Sequence, residues 1–227
     1  MHVVVTGANR GIGLEFVRQY LSRGDRVTAG CRDPEAAAAL RALACERLAV
    51  HPCDVADDAS VEGFARAMGD ATVDLLINNA GVGGEWTSLD ALSTASALHT
   101  YSVNALGPLR VTRALLPQLL RGPSRRVVHV SSGMGSIGDN TSGGAYAYRM
   151  SKAALNMASR SLAVDLRDQG VTSVVINPGW VQTDMGGAGA PVRVEDSVAA
   201  MITRFDHLTL ADSGRFLDWK RLEGFVW

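Results

Sequence analysis

The chain has 227 residues, 47% apolar and 20% charged, enough to bury a large core and within the size of one α/β domain spanning 1–227. Its 22 basic and 23 acidic residues leave a formal net charge of −1 and are dispersed, so the composition excludes the electrostatic footprint of a nucleic-acid or anionic-membrane partner. Cys31, Cys45 and Cys53 lack C-x-x-C spacing, the five histidines are scattered, and no stretch resembles a leader or reaches bilayer length; a cytoplasmic protein without metal, disulfides or membrane insertion is expected.

His2 to Thr6 reads as a short buried strand, and Thr6-Gly7-Ala8-Asn9-Arg10-Gly11-Ile12-Gly13 turns it into a helix running to about Arg23. Glycines at 7, 11 and 13 let the backbone turn tightly and approach a pyrophosphate, whose charge a helix N-terminus favours. The spacing is G-x-x-x-G-x-G, which also suits an ordinary glycine-capped turn. A second strand, Asp25 to Cys31, leads into Arg32. An acid at that strand's end would bind a ribose 2′-hydroxyl, whereas a cation accommodates a 2′-phosphate. Cys31 stands where the acid is expected, with Arg32 beyond it and Arg10 inside the turn, so NADP(H) is favoured over NAD(H). Asp33 is the competing acid.

Asp33-Pro34 caps a helix through the following alanines to Leu40. Arg47 to His51 is a third strand, and Asp54-Val55 beyond it offer either an adenine contact or a cap for the helix from Asp57 to Met68. Val73 to Ile77 is a fourth strand, closed by Asn78-Asn79-Ala80-Gly81. Ser93 to about Arg121 forms one long helix that carries Asn104 in an apolar setting and is expected to bend at Gly107-Pro108.

Arg125 to Val130 is a fifth strand ending in Ser131-Ser132, and a hydroxyl at the carboxyl end of a central parallel strand faces the ligand cleft of such sheets. Tyr148-Arg149-Met150-Ser151-Lys152 opens an amphipathic run to Gly170, with phenol and ammonium four apart on one helix face. The pair is either acid–base machinery or two solvated side chains. A sixth strand, Val171 to Ile176, exits through Asn177-Pro178-Gly179 into a Gly/Ala-rich loop, Met185 to Pro191, suited to closing over a substrate. A helix from Glu195 to Phe205, a strand near Gly214 to Leu217 and the apolar Phe225-Val226-Trp227 follow.

Taken in order, the glycine turn, Asn78-Asn79-Ala80-Gly81, Asn104, Ser131-Ser132, Tyr148-x-x-x-Lys152 and Asn177-Pro178-Gly179 resemble the short-chain dehydrogenase/reductase family over nearly the whole chain. The segments 138–152 and 178–187 and the last Trp further resemble the branch containing C-factor and the carbonyl reductase Sniffer. That resemblance implies a Rossmann-type doubly wound parallel sheet of about seven strands, order 3-2-1-4-5-6-7, with helices on both faces. It implies an NADPH-dependent oxidoreductase interconverting an aldehyde or ketone and its alcohol, in a homodimer or homotetramer. Tyr148 would be the proton donor and Lys152 the cation that binds the nicotinamide ribose and lowers the tyrosine pKa. Ser132 would polarise the carbonyl, and Asn104 would hold a relay water.

The family's serine usually lies about thirteen positions before its tyrosine; Ser132 precedes Tyr148 by sixteen, so Ser131 and Ser136 stay open. Cofactor contacts carried over are Gly7, Asn9, Arg10, Gly11, Ile12, Gly13, Arg32, Asp54, Val55, Asn79, Ala80 and Gly81. Tyr148, Lys152, Pro178, Gly179, Val181 and Thr183 complete them. Trp86, Met134, Trp180 and Met185 are candidates for the substrate pocket. The alternative function is a signalling protein of C-factor type that binds the dinucleotide with incidental turnover.

Overall fold

In the computed structural model, which describes residues 1–221 and 223–227, Val3, Val4 and Val5 of strand β1 (His2–Thr6) have no exposed surface. A strand apolar on both faces must be covered on both. Val3 and Val5 belong to a core with Phe16 and Tyr20 of α1 (Gly11–Ser22) and Phe205 of α7 (Val194–Asp206). Val4 faces the other way, into a core with Phe64 of α3 (Asp58–Met68) and Leu115 of α5 (Gly107–Arg121). Each such side chain taken fully out of water contributes about 1.5–3 kcal/mol.

The remaining strands are β2 (Arg26–Cys31), β3 (Leu48–Pro52), β4 (Leu75–Asn78), β5 (Arg126–Val130), β6 (Thr172–Asn177) and β7 (Phe216–Asp218). They form one parallel sheet in the order β3-β2-β1-β4-β5-β6-β7, with β1 register-paired to β2 and β4. The order reverses between β1 and β4, so the carboxyl ends of those strands open the crevice where such sheets take ligands. Among the described residues no helix is long and apolar enough to cross a membrane.

Two local expectations are corrected. The helix after Asp33 shrinks to α2 (Ala38–Arg41): the Asp33 carboxylate accepts the Ala36 N–H in a local turn, and only Leu40 of the helix is buried. High helix propensity does not extend a helix that has almost no face to bury. The long helix from Ser93 is divided into α4 (Thr94–Tyr101), a π turn (Ser102–Leu106) and α5. The irregularity centres on Asn104, while Pro108 sits in the first turn of α5, where its missing N–H costs little. Helix α6 (Tyr146–Asp165) packs on β6 and α4, and begins two residues before Tyr148.

Candidate active site

The glycine turn is held by close packing. Gly7 (φ +64°) lies so near Ala80 that a Cβ there would come within 2.7 Å of the Ala80 Cα, and a Cβ on Gly13 would strike the Gly7 carbonyl oxygen at 2.2 Å. Asn79 stitches the two strand ends together, its Nδ2 donating to the carbonyls of Thr6 (3.0 Å) and Gly7 (3.2 Å). The Thr6 hydroxyl accepts in return from the N–H groups of Asn79 and Ala80. Asn9 and Arg10 remain exposed, while Ile12 packs against the core.

Ala8 N–H donates to Gly30 O, which places the end of β2 beside the turn. Arg32 projects from that end, exposed, with no side-chain partner among the described residues; Asp33 is occupied by its turn. One Asp54 oxygen accepts the Ala56 N–H, and Val55 packs against Gly107, so local structure already uses both. On the opposite side Gly179 (φ +82°) fits under Trp219, Pro178 O accepts from Ser197, and Val181 is buried. Thr183 lies against Gly11, and Arg10 forms a 2.7 Å ion pair with Asp184, both side chains mostly exposed.

Tyr148 and Lys152 are 8% and 5% exposed, with the ammonium 5.8 Å from the phenol ring centroid and donating to Val130 O at 2.8 Å. Burial pulls Lys152 down to about 8. Burial likewise raises the Tyr148 pKa, and the nearby Ser132 hydroxyl pulls the other way. In the protein alone, therefore, desolvation rather than Lys152 dominates the phenol, which stays protonated through neutral pH.

The serines separate cleanly. Ser131 is buried and donates to Asn156 Oδ1 at 2.6 Å, and Asn156 Nδ2 donates to Gly135 O. Ser136, also buried, accepts the Asp139 N–H. Ser132 Oγ accepts the Met134 N–H at 3.1 Å, and it is the serine hydroxyl that acts on the phenol's acidity. A Cβ on Gly135 would lie 2.9 Å from Lys152 backbone, so the serine loop is pressed against α6. Three extra residues in the Ser132–Tyr148 interval are absorbed in the loop, as an insertion would be.

Asn104 has no exposed surface, and its amide is fully engaged: Oδ1 accepts from Val82 N–H, and Nδ2 donates to Val82 O and Ser151 Oγ. The π turn bulges this residue toward the end of β4. Both Nδ2 protons are spent, so a relay water at this position must find its donors elsewhere. Gly81 sits between Asn104 and Lys152, where a Cβ would approach Asn104 Oδ1 to 3.2 Å.

Trp86, which stacks on the Tyr148 ring, and Met134 line an open cavity of about 450 Å³ together with Thr87, Ser88, residues 142–145 and Arg149; Tyr148 and Ser132 themselves are outside its lining. Met185, like Trp86, lies against Gly83 but is outside that lining, and exposed Trp180 folds onto its own loop by donating to Gly186 O. Sequence reading passed over Thr87, residues 142–145 and Arg149; the one signal was the position of Arg149 directly after Tyr148.

The description of the short chain dehydrogenase family matches residues 1–191. The chain belongs to the short-chain dehydrogenase family. This short-chain dehydrogenase is 53% identical to C-signal of Myxococcus xanthus over 163 residues, covering 72% of the chain and 98% of that protein. It is similar to the NADPH-bound carbonyl reductase from chicken fatty liver, with TM-score 0.92 and 37% identity over 100% of this chain and 98% of that one. The carbonyl reductase Sniffer of D. melanogaster superposes with TM-score 0.95 at 30% identity, covering 100% and 99% of the two chains. These relatives place the dehydrogenase in the branch that its sequence resembles, as an oxidoreductase.

Proposed function

We propose that this short-chain dehydrogenase is an NADPH-dependent carbonyl reductase that reduces an aldehyde or ketone to its alcohol, reversibly, within one dinucleotide-binding domain. The observation carrying the reading is the convergence of the Tyr148 phenol, the Ser132 hydroxyl and the Lys152 ammonium beside the glycine turn. A dinucleotide fits these residues: the cramped glycines leave backbone where a Cβ would obstruct, and Arg32 is an exposed cation without a carboxylate partner among the described residues. Gly7 to Gly13, Asn79 to Gly81 and the Pro178–Thr183 segment would hold it, with Arg10 and Arg32 on a 2′-phosphate, which favours NADP(H) over NAD(H). Asp54 and Val55 flank the adenine end.

A reduced nicotinamide supplies the hydride when bound. The protein supplies the proton: the Tyr148 O–H bond breaks as a new O–H bond forms on the substrate oxygen. Ser132 donates a hydrogen bond to that same oxygen as its negative charge develops, a contact whose loss typically costs ~3 kcal/mol in barrier. Burial keeps Tyr148 protonated, which suits reduction, and the Lys152 ammonium stabilises the phenolate left behind. Asn104 positions the strand end around Lys152, and its neighbourhood is where a relay water would refill the proton.

NADPH oxidation with a panel of aldehydes and ketones, run on the wild type and Tyr148→Phe, tests the reading. Turnover that vanishes in the variant is expected; turnover that survives it would remove Tyr148 as the donor. The apolar side chains exposed on α4 and α6, Leu98, Tyr101, Met150 and Met157, suit the surface of a homodimer or homotetramer. Light scattering that returns a monomer would overturn that part. The 53% identity to C-signal favours a second reading, a signalling protein whose turnover is incidental; a phenotype retained by Tyr148→Phe would select it.

A further inference from the structure

The cavity that Trp86 and Met134 link to Tyr148 and Ser132 has a lining of unequal chemistry. Trp86, stacked on the Tyr148 ring, and Met134, two residues beyond Ser132, make its apolar side. Arg149 is the single formal charge in the lining, and among the described residues no carboxylate lines the cavity to neutralise it. The guanidinium is held in place rather than solvated at random. Its Nε donates to Gly143 O (3.1 Å) and its Nη2 to Ser142 Oγ (2.7 Å), while Nη1 has no partner among the described residues. Both anchoring residues also line the cavity. The field there is reinforced by the start of α6, which has neither a side-chain cap nor an acid in its first turn.

From this we infer that Arg149 is a specificity-determining residue and that the preferred substrate is an aldehyde or ketone bearing a carboxylate at its far end. The inference rests on the carbonyl reductase reading above. The carbonyl would meet Tyr148 and Ser132, the middle of the substrate would lie along Trp86 and Met134, and the carboxylate would take the unused face of the guanidinium. A fixed planar donor is suited to a carboxylate, and a cavity with one polar anchor and apolar walls orients a ligand by that anchor.

The test uses 4-carboxybenzaldehyde and its methyl ester, which differ in the charge of the distal group. Steady-state reduction with NADPH is measured on the wild type, Arg149→Met and Arg149→Lys. The wild type is expected to favour the acid about tenfold or more in kcat/KM, mainly through KM, the scale of a hydrogen bond to a charged group. Arg149→Met should lose about tenfold more kcat/KM on the acid than on the ester, and Arg149→Lys should recover part of that preference. Equal efficiency on acid and ester in the wild type, or an equal loss on both in Arg149→Met, would overturn the inference. Binding of 4-(hydroxymethyl)benzoate, followed by tryptophan fluorescence, separates this from the parent reading. If neither aldehyde turns over, the reductase reading fails, and Arg149-dependent binding of that carboxylate still decides the role of Arg149.

Discussion

Trp86 lies over Tyr148, ring centroids 5.9 Å apart and planes inclined by 28°, although Trp86 itself is 63% exposed. The indole therefore covers the phenol from the solvent side without being part of the core. Replacing it should leave stability nearly unchanged and act on substrate.

An aromatic stack is worth about 0.5–1.5 kcal/mol beyond the area it buries. Trp86→Ala is accordingly expected to raise KM for aromatic carbonyls by roughly 2–10-fold. Thermal melts should match the wild type. A large fall in melting temperature would show that the residue supports the fold instead.

Adjacent serines should divide their effects. Ser132→Ala removes the hydroxyl near the phenol and should lower kcat by roughly 10²–10³-fold, with a stability loss of about 0.5–2 kcal/mol for the cap it gives Met134 N–H. Ser131→Ala breaks the buried bond to Asn156 and should cost about 1–3 kcal/mol of stability, read by urea unfolding, with a smaller loss of rate. The reverse pattern would move the oxyanion donor to Ser131.

Arg10 is shared between its ion pair with Asp184 and the phosphate it is proposed to hold. Exposed pairs are worth about 0–1 kcal/mol, so a phosphate can displace Asp184 readily. Asp184→Ala should tighten NADPH binding by roughly 2–5-fold at low salt. Arg32→Ala should weaken NADPH far more than NADH in titration calorimetry; equal losses would remove Arg32 from the 2′-phosphate.

Lys152 gives a pH signature. Its pKa falls from 10.5 to about 8 on folding, so the folded state carries the cost of a buried charge below pH 8 and sheds it as pH rises through that value toward 10.5. Lys152→Met should abolish turnover yet raise stability at pH 7 by up to ~3 kcal/mol, less roughly 1 kcal/mol for the Val130 carbonyl left without its donor. The gain should shrink above pH 8. Unfolding curves from pH 6 to 10 that show a constant difference would contradict the assignment.

Much of this molecule was legible in the chain. Alternating apolar strands and helices, with Val3 to Val5 apolar on both faces, required a parallel sheet covered on both sides. The order of glycine turn, Asn79, Asn104, Ser132, Tyr148 and Lys152 identified the family without any coordinates. Those signals are local or sequential: periodicity, spacing and turn chemistry act over a few residues.

What only tertiary structure decided depends on groups far apart in the chain. Ser131, Ser132 and Ser136 are chemically identical in sequence; packing gives Ser131 to Asn156, Ser136 to the Asp139 N–H and Ser132 to the Met134 N–H, and of the three it is Ser132 that acts on the phenol. Asn104 sits at the centre of the π turn with its side-chain amide on Val82 and Ser151, partners that are far from it in the chain. Burial sets the protonation of Tyr148 and Lys152. The same holds for Arg149, one more cation in the sequence, which becomes the single charge of a cavity only when residues 86, 134 and 142–145 fold around it. Desolvation and hydrogen-bond competition arise from packing, and the sequence carries no local record of which partner wins.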